Sequence, residues 1–316
     1  MKVLVTRPMT EAVTQALQSR FEATFRDNTP LSVDEARQAL AEYDVIMPTL
    51  GDAFSAAAFE GGEPRCKLLA NFGAGYNHID VKAARDAGVA VTNTPGVVTD
   101  ATADIAMTLL LMTARRASEG EHILRAGEWS GWNPTQLLGS HVTGKTVGII
   151  GMGRIGKAIA RRCHYGFGMD VVFFNRSKVS SLDLPARQMP ELLDMLQAAD
   201  FAVVSVPGGA GTHRLIGAQE LEALGPRSHL INIARGDVVD EAALIHALET
   251  GVIAGAGLDV YEREPVVPEA LRALWNVSLL PHLGTAAEEV RSAMGMRAMG
   301  NIVALDEGTP LPDAVN

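Results

Sequence analysis

The chain has 316 residues, which corresponds to about two domains at roughly 150 residues per domain. Hydrophobic residues make up 47% of it, the level of ordinary globular proteins, which excludes a coiled coil, a collagen-like chain and a disordered chain. The formal net charge of −10 argues against nucleic acid or an anionic membrane as a partner, because both carry negative charge.

Short apolar runs alternate with helical patterns over the first hundred residues. Strands are predicted at 3–5, 45–47, 67–70 and 89–92, and helices at 10–20, 34–42 and 81–87. This alternation of strand and helix predicts a parallel sheet with helices on both of its faces.

A second series of the same kind occupies the rest of the chain. Residues 104–114 are almost wholly apolar and predict a buried helix, which the segment WSGWNP at 129–134 interrupts. Strands then follow at 146–150, 171–174, 201–206, 229–233, 253–258 and 277–280, before a last helix at 286–305. The pattern therefore predicts two α/β domains, each built on a doubly wound parallel sheet.

The cysteines and the N-terminus favour a cytoplasmic protein. Cys66 and Cys163 are too few for a disulfide framework and are expected to be buried, reduced thiols. No zinc-type spacing of cysteine and histidine occurs, so no metal is expected. There is no signal peptide and no apolar run of about 18 residues, so no membrane partner is expected either.

A glycine-rich loop points to a dinucleotide. The segment GMGRIG at 151–156 fits the pattern G-x-G-x-x-G, follows a predicted strand and opens a predicted helix. Its glycines allow a tight turn and the close approach of a pyrophosphate, which the N–H groups at the helix start would bind. The residues of this site are Gly151, Gly153, Arg154, Ile155 and Gly156. A Walker-type match at 139–146 is interpreted as accidental, because a strand rather than a helix follows it.

The end of the next strand selects the form of the cofactor. Dehydrogenases that use NAD have an acidic residue there, whereas this chain has Asn175, Arg176 and Ser177. Arg176 can pair with a 2′-phosphate, and the other two residues can donate hydrogen bonds to it. NADPH is therefore the predicted cofactor, with NADH as the alternative. If the prediction is wrong, Arg176 is an ordinary surface arginine.

Charged side chains follow three strands of the second series. Arg235 follows the strand at 229–233, Asp259 the strand at 253–258, and His282 the strand at 277–280, with Glu264 just beyond Asp259. Parallel strands place such residues at the same edge of a sheet, where ligands bind. They could instead be structural ion pairs.

These residue types suit the reduction of a 2-oxo acid. The reaction needs a hydride at C2, from the nicotinamide, and a proton at the carbonyl oxygen. His282 can donate the proton as a general acid, and Glu264 can orient its ring. Arg235 can bind the substrate carboxylate and polarise the carbonyl.

The motifs together resemble the D-2-hydroxyacid dehydrogenases over essentially the full length. The matching segments are residues 71–80, 93–104, 144–156, 232–240, 257–264 and 281–284. The resemblance implies that Arg235, Glu264 and His282 form the catalytic set. It also implies substrate contacts at Leu50, Gly51, Ala74 and Gly75, beside Arg235 and His282. Asp259 would face the nicotinamide carboxamide, and further cofactor contacts would come from Thr102, Arg154, Ile155, Val206, Pro207, Thr212, Ile233, Ala234 and Gly284.

Within that family, residues 129–134, 166–169 and 175–177 resemble the glyoxylate/hydroxypyruvate reductases. This implies a homodimer in which Trp132 either reaches the active site of the second subunit or packs the interface. It also implies two Rossmann-like doubly wound domains. Residues 1–98 and 285–316 form a split substrate domain, and 99–284 form an inserted dinucleotide-binding domain with a dimerisation helix.

The function predicted from the sequence is thus NADPH-dependent reduction of glyoxylate and hydroxypyruvate to D-2-hydroxy acids. Two alternatives stay open. The chain could be a dehydrogenase for another 2-oxo acid, such as 2-ketogluconate. It could also be a non-catalytic, dinucleotide-sensing protein like the corepressors that share this fold.

Overall fold

The computed structural model describes all 316 residues and divides into two compact units. The first contains residues 1–98 and 285–316, and the second contains residues 99–284. None of the helices combines the length and the apolar character needed to cross a membrane.

The units contain twelve strands and eleven α-helices. The strands are β1 (Lys2–Val5), β2 (Glu22–Phe25), β3 (Val45–Met47), β4 (Leu68–Ala70), β5 (Ala90–Thr92), β6 (Thr146–Ile150), β7 (Asp170–Phe174), β8 (Arg187–Gln188), β9 (Phe201–Val204), β10 (His229–Asn232), β11 (Gly255–Leu258) and β12 (Val277–Leu279). The helices are α1 (Glu11–Arg20), α2 (Val33–Glu42), α3 (Val81–Asp86), α4 (Thr99–Ala114), α5 (Ala117–Ala126), α6 (Arg154–Arg161), α7 (Leu192–Gln197), α8 (Ala218–Leu224), α9 (Glu241–Glu249), α10 (Glu269–Ala273) and α11 (Glu288–Asp306).

The first unit is built on a five-stranded parallel sheet in the order β2-β1-β3-β4-β5. Successive residues of a strand face opposite sides, so β1 contributes to two cores. Leu4 packs on one face with Leu40 of α2, whereas Val3 and Val5 pack on the other with Ile302 of α11. The last helix of the chain therefore completes the unit that the first strand begins.

The second unit is built on a seven-stranded parallel sheet in the order β12-β11-β10-β9-β6-β7-β8. The chain runs outward from β6 to β8, returns to β9 and runs outward again to β12. The order reverses between β6 and β9, the kind of switch point at which open α/β sheets bind ligands. Helix α4 covers part of this sheet, and Leu109 and Leu110 within it are fully buried.

The predicted fold class, α/β with two doubly wound parallel sheets, is confirmed, and the buried helix expected at 104–114 lies within α4. Two strands were not predicted. Strands β2 and β8 lie at sheet edges and alternate exposed with half-buried residues, so neither presents an apolar run. The helix predicted after the glycine loop ends at Arg161 and continues as one π-helical turn to Gly166.

His229 is a buried histidine in the sheet of the second unit. It lies within β10, is 5% exposed, and stacks on Phe201 with ring centroids 5.1 Å apart. Burial lowers the pKa of His229 to about 4, and its Nδ1 has no hydrogen-bond partner. Below pH 6.5 the imidazole of His229 is therefore protonated in the unfolded chain but stays neutral in the folded chain. His229 thus lowers the free energy of unfolding as the pH falls towards 4.

The substitution His229→Phe should remove this acid sensitivity while keeping the aromatic stack. Between pH 7 and pH 4, His229 should lower the free energy of unfolding of the wild type by about 3 kcal/mol. Urea unfolding at a series of pH values measures the difference. The exposed His141→Phe serves as the control and should follow the wild type. If the free energy of unfolding of His229→Phe fell as steeply below pH 7 as that of the wild type, His229 would not be the cause of the acid sensitivity.

Candidate active site

The glycine-rich loop connects the end of β6 to the start of α6. Gly151 has φ +97°, and a side chain there would meet Val206 Cγ1 at 2.8 Å, while one on Gly156 would collide with the carbonyl oxygen of Gly151. Apart from the two neighbours of Gly153 in the chain, no residue has an atom within 4 Å of the place where Gly153 would carry a Cβ. Packing thus requires the first and third glycines, whereas the second leaves open space at the helix start, which fits a phosphate group.

Two side chains hold this loop in place, and sequence reasoning did not assign either of them that role. The Ser205 hydroxyl donates to the carbonyl oxygen of Gly151 at 2.8 Å. The Asn175 side-chain oxygen accepts from Met152 N at 3.2 Å, and its amide nitrogen donates to the Ser177 carbonyl oxygen at 2.9 Å. Asn175 therefore links the glycine loop to the segment 175–177, and its donors serve the chain itself.

Arg176 stands at the end of β7, the neighbour of β6 in the sheet. It is exposed and makes no hydrogen bond or ion pair within the chain. Lys178 is exposed as well, and no carboxylate occurs between 175 and 181. This corner of the sheet therefore offers an unpaired cation beside the phosphate loop.

His282 and Glu264 form a pair at the other end of the same sheet edge. His282 Nδ1 lies 2.8 Å from Glu264 Oε2, and Glu264 Oε1 accepts from Tyr261 N at 3.1 Å. Burial acts to raise the pKa of Glu264, but the hydrogen bond and charge of His282, with help from Tyr261 N and Arg235, outweigh it and lower that pKa. Glu264 thus stays ionised well into the acid range, and the stabilising contact is lost only as the pH falls through this lowered pKa.

The backbone of His282 is held in a left-handed conformation, with φ at +54°. Such a φ is uncommon for a residue other than glycine and has to be enforced by its surroundings. Asp259, which is 1% exposed, accepts from Leu283 N at 2.7 Å and from Gly284 N at 2.8 Å, and its carbonyl oxygen accepts from His282 N at 3.0 Å. Asp259 therefore fixes the turn that presents the histidine ring.

Arg235 follows β10 and is mostly buried. Burial lowers the pKa of Arg235, and the negative charges of Glu264 and Asp237 offset only part of this effect. One terminal nitrogen donates to the Ala234 carbonyl oxygen at 2.6 Å, while Nε is buried without any acceptor in the chain. Buried donors are normally satisfied, so this guanidinium suits an anionic ligand such as a carboxylate.

The other predicted cofactor residues of this unit lie on the same edge. Val206, Pro207 and Thr212 follow β9, and the Thr212 hydroxyl donates to the Pro207 carbonyl oxygen at 2.7 Å. Ile233 and Ala234 follow β10. Thr102, on α4, donates to the carbonyl oxygen of Gly284 at 3.1 Å.

The segments that follow the strands of this sheet, taken in the order of the strands, form one row from His282 to Arg176. The row covers the carboxyl ends of β12, β11, β10, β9, β6 and β7. At about 4.8 Å between neighbouring strands it spans about 24 Å. This length suits an extended ligand with its reactive end beside His282 and its far end beside Arg176.

The remaining predicted residues lie elsewhere. Leu50 and Gly51 follow β3 in the first unit, and Ala74 and Gly75 follow the adjacent strand β4. The side-chain nitrogen of Asn71, which the sequence did not single out, donates at 3.0 Å to the carbonyl oxygens of Gly73 and Gly75 and so shapes the second loop. Trp132 lies between α5 and β6 and is 80% exposed.

Residues 107–284 match the family model of the D-isomer specific 2-hydroxyacid dehydrogenase, NAD binding domain. The chain belongs to the D-isomer specific 2-hydroxyacid dehydrogenases. The dehydrogenase is 41% identical to the glyoxylate reductase of Thermococcus onnurineus and 40% identical to that of Pyrococcus horikoshii, over 100% of this chain and 96% of each relative. The resemblance drawn from the sequence is thus confirmed.

Solved structures of the family share the fold. The NADPH-dependent glyoxylate/hydroxypyruvate reductase of Sinorhizobium meliloti, solved in complex with NADP and malonate, has a TM-score of 0.88 and 38% identity to the dehydrogenase. The match covers 99% of this chain and 96% of that one. This dehydrogenase is accordingly an NAD(P)-dependent oxidoreductase.

The substitution Asp259→Asn should loosen the turn at 282–284. An amide can accept one of the two backbone N–H groups, but its own nitrogen then faces the other, so we expect a loss of about 1–3 kcal/mol in the free energy of unfolding. Hydrogen exchange at the amides of Leu283 and Gly284 should become faster. Asp170→Asn, at the start of β7, is the control. Unchanged exchange at both amides would show that Asp259 does not hold the turn.

Proposed function

We propose that this dehydrogenase reduces glyoxylate and hydroxypyruvate to D-2-hydroxy acids with NADPH. The observation that carries the proposal is the 2.8 Å contact between His282 and Glu264, on the same sheet edge as Arg235 and the glycine loop. An acid, a carboxylate-binding cation and a dinucleotide loop on one edge are the parts that this reaction needs.

The proton comes from His282 in this proposal. Glu264 engages Nδ1, so Nε2 is the ring nitrogen that faces away from the carboxylate and carries the transferable proton. The nicotinamide, when bound, supplies a hydride to C2. Nε2–H protonates the carbonyl oxygen as negative charge develops there, and Glu264 orients the ring throughout.

The substrate carboxylate is bound by Arg235. Its buried Nε has no acceptor in the chain, and a carboxylate would satisfy it. We assign the backbone N–H groups of Ala74 and Gly75, and the turn at Leu50 and Gly51, to contacts with the substrate. Residues 1–98 and 285–316 then act as the substrate domain, and 99–284 as the dinucleotide-binding domain.

The relatives of the dehydrogenase favour small substrates. The curated relatives of the dehydrogenase are glyoxylate reductases, and the Sinorhizobium meliloti enzyme is a glyoxylate/hydroxypyruvate reductase. We further assign Trp132 to limiting the space available in the pocket of a second subunit.

A homodimer is part of the proposal. The segment from α5 to β6 exposes four large apolar side chains, which suit a contact with another chain. They are Leu124, Trp129, Trp132 and Leu138. We place the dimer contact here, together with α4. The unpaired, buried thiols of Cys66 and Cys163 support a reducing compartment such as the cytoplasm.

The substitution His282→Ala should lower kcat for glyoxylate by about 10²–10⁴-fold, the usual contribution of a general acid. The Kd for NADPH, measured by fluorescence titration, should change little, because only the proton donor is lost. The exposed His246→Ala, on α9, is the control. Turnover at the wild-type rate would rule out His282 as the acid, and a wild type that binds NADPH but turns over no 2-oxo acid would favour a sensor.

The substitution Arg176→Ala should raise the KM for NADPH by about 10-fold or more, because a charged hydrogen bond to phosphate is lost. The KM for NADH should stay within about twofold, since NADH has no 2′-phosphate. Arg227→Ala, which removes an exposed arginine just before β10, is the matched control. Equal changes for the two cofactors would mean that Arg176 does not contact the 2′-phosphate.

A further inference from the structure

Arg7 and Asp52 form an ion pair in the first unit that no part of the proposed reaction uses. Arg7 Nη1 lies 2.9 Å from Asp52 Oδ1, and the two side chains are 10% and 0% exposed. Charges so deeply buried are unfavourable unless they are paired and fully hydrogen-bonded. An ion pair at this position therefore points to a specific structural role.

The pair lies beside the segments to which we assign substrate contacts. Arg7 follows β1, the turn at 49–52 follows β3, and the loop with Ala74 and Gly75 follows β4. These three strands are neighbours in one parallel sheet, so their carboxyl ends share one edge.

Asp52 closes the turn that carries Leu50 and Gly51. Its backbone N–H donates to the Thr49 carbonyl oxygen at 3.2 Å, and its Oδ2 accepts from Thr49 N at 2.9 Å. Leu50 and Gly51 are therefore the two central residues of a β-turn, and the φ of +98° at Gly51 is the value that a type II turn needs at its third position.

The same carboxylate ties the turn to two other segments. Asp52 Oδ1 accepts from Leu31 N at 2.9 Å and also from Arg7 Nη1. The same Arg7 nitrogen donates to the Thr6 carbonyl oxygen at 2.6 Å. A Cβ on Gly51 would lie 3.9 Å from Arg7 Nη2, so the guanidinium lies directly against the turn. The Leu50 side chain, by contrast, is 45% exposed at the tip.

We propose that Arg7 and Asp52 are positioning residues that hold the Leu50–Gly51 turn in the conformation that binds the 2-oxo acid. The proposal rests on the function proposed above, which assigns that turn to the substrate. Neither residue is assigned to proton transfer or to the dinucleotide, so we expect the pair to act on the affinity for the oxo acid alone.

Two variants test the pair. Asp52→Asn keeps the shape of the side chain but replaces one accepting oxygen with a donor, and Arg7→Lys keeps the charge but removes the guanidinium's planar set of donors. The matched control is Asp44→Asn. Asp44 also pairs with an arginine, Arg65, at 2.8 Å, but it precedes β3 and so lies at the opposite edge of the same sheet.

In both test variants the KM for glyoxylate should rise by 10-fold or more. The KM and Kd for NADPH should stay within twofold, and kcat should change less than the KM for glyoxylate. Asp44→Asn should leave all of these constants at wild-type values. A KM for glyoxylate within twofold of wild type in either folded test variant would overturn the proposal, as would equal rises for glyoxylate and NADPH.

Hydrogen exchange separates this proposal from the function on which it rests. The amides of Thr49 and Asp52 should lose protection in Asp52→Asn or Arg7→Lys and keep it in Asp44→Asn, whether or not the wild type turns over any 2-oxo acid. Lost protection with no wild-type turnover would defeat the proposed function only. Unchanged protection at both amides would defeat the positioning role. If Asp52→Asn does not fold, Arg7→Lys decides both measurements.

Discussion

Parallel strands end at one edge of their sheet, and the candidate site depends on this constraint. In the second unit, β12, β11 and β10 are neighbours in space although about 20 residues separate them along the chain. His282, Asp259 and Arg235 each come just after one of these strands, so pairing of the strands is sufficient to bring them to the same edge. The glycine loop follows β6 and comes to that edge for the same reason.

The charges at this edge are compensated in different ways, and the differences correspond to their roles. The buried carboxylate of Asp259 is satisfied by two backbone N–H groups, as expected of a group that shapes the chain. Glu264 is satisfied by His282 and by Tyr261 N. Arg235, in contrast, keeps a buried Nε without an acceptor, and Arg176 has no partner at all. Both Arg235 and Arg176 are assigned to anionic parts of the substrate and the cofactor.

Much of this could be predicted from the sequence, because it depends on local pattern. Apolar runs mark the central strands, and G-x-G-x-x-G between a strand and a helix marks the phosphate loop. A charged residue directly after a strand also has a defined place once the strands are parallel. For this reason a shared sheet edge for Arg235, Asp259 and His282 could be predicted, whereas the order of the strands along that edge could not.

The features that the sequence did not reveal depend on contacts between distant residues. The left-handed φ of His282 is enforced by Asp259, which lies 23 positions earlier, and the buried ion pair joins Arg7 to Asp52 across 45 positions. No local pattern distinguishes Asn175 as a support of the glycine loop from Asn175 as a donor to phosphate. The short edge strands β2 and β8 were missed because half-exposed edges do not require an apolar run.

We propose that the residues along the edge from His282 to Arg176 reduce small 2-oxo acids with NADPH. Initial rates of the wild type with glyoxylate, hydroxypyruvate, pyruvate and 2-ketogluconate, each with NADPH and with NADH, test it most directly. We expect the highest kcat/KM for glyoxylate and hydroxypyruvate, with NADPH preferred over NADH. Preference for a larger acid or for NADH, or the absence of turnover despite tight binding of NADPH, would contradict it.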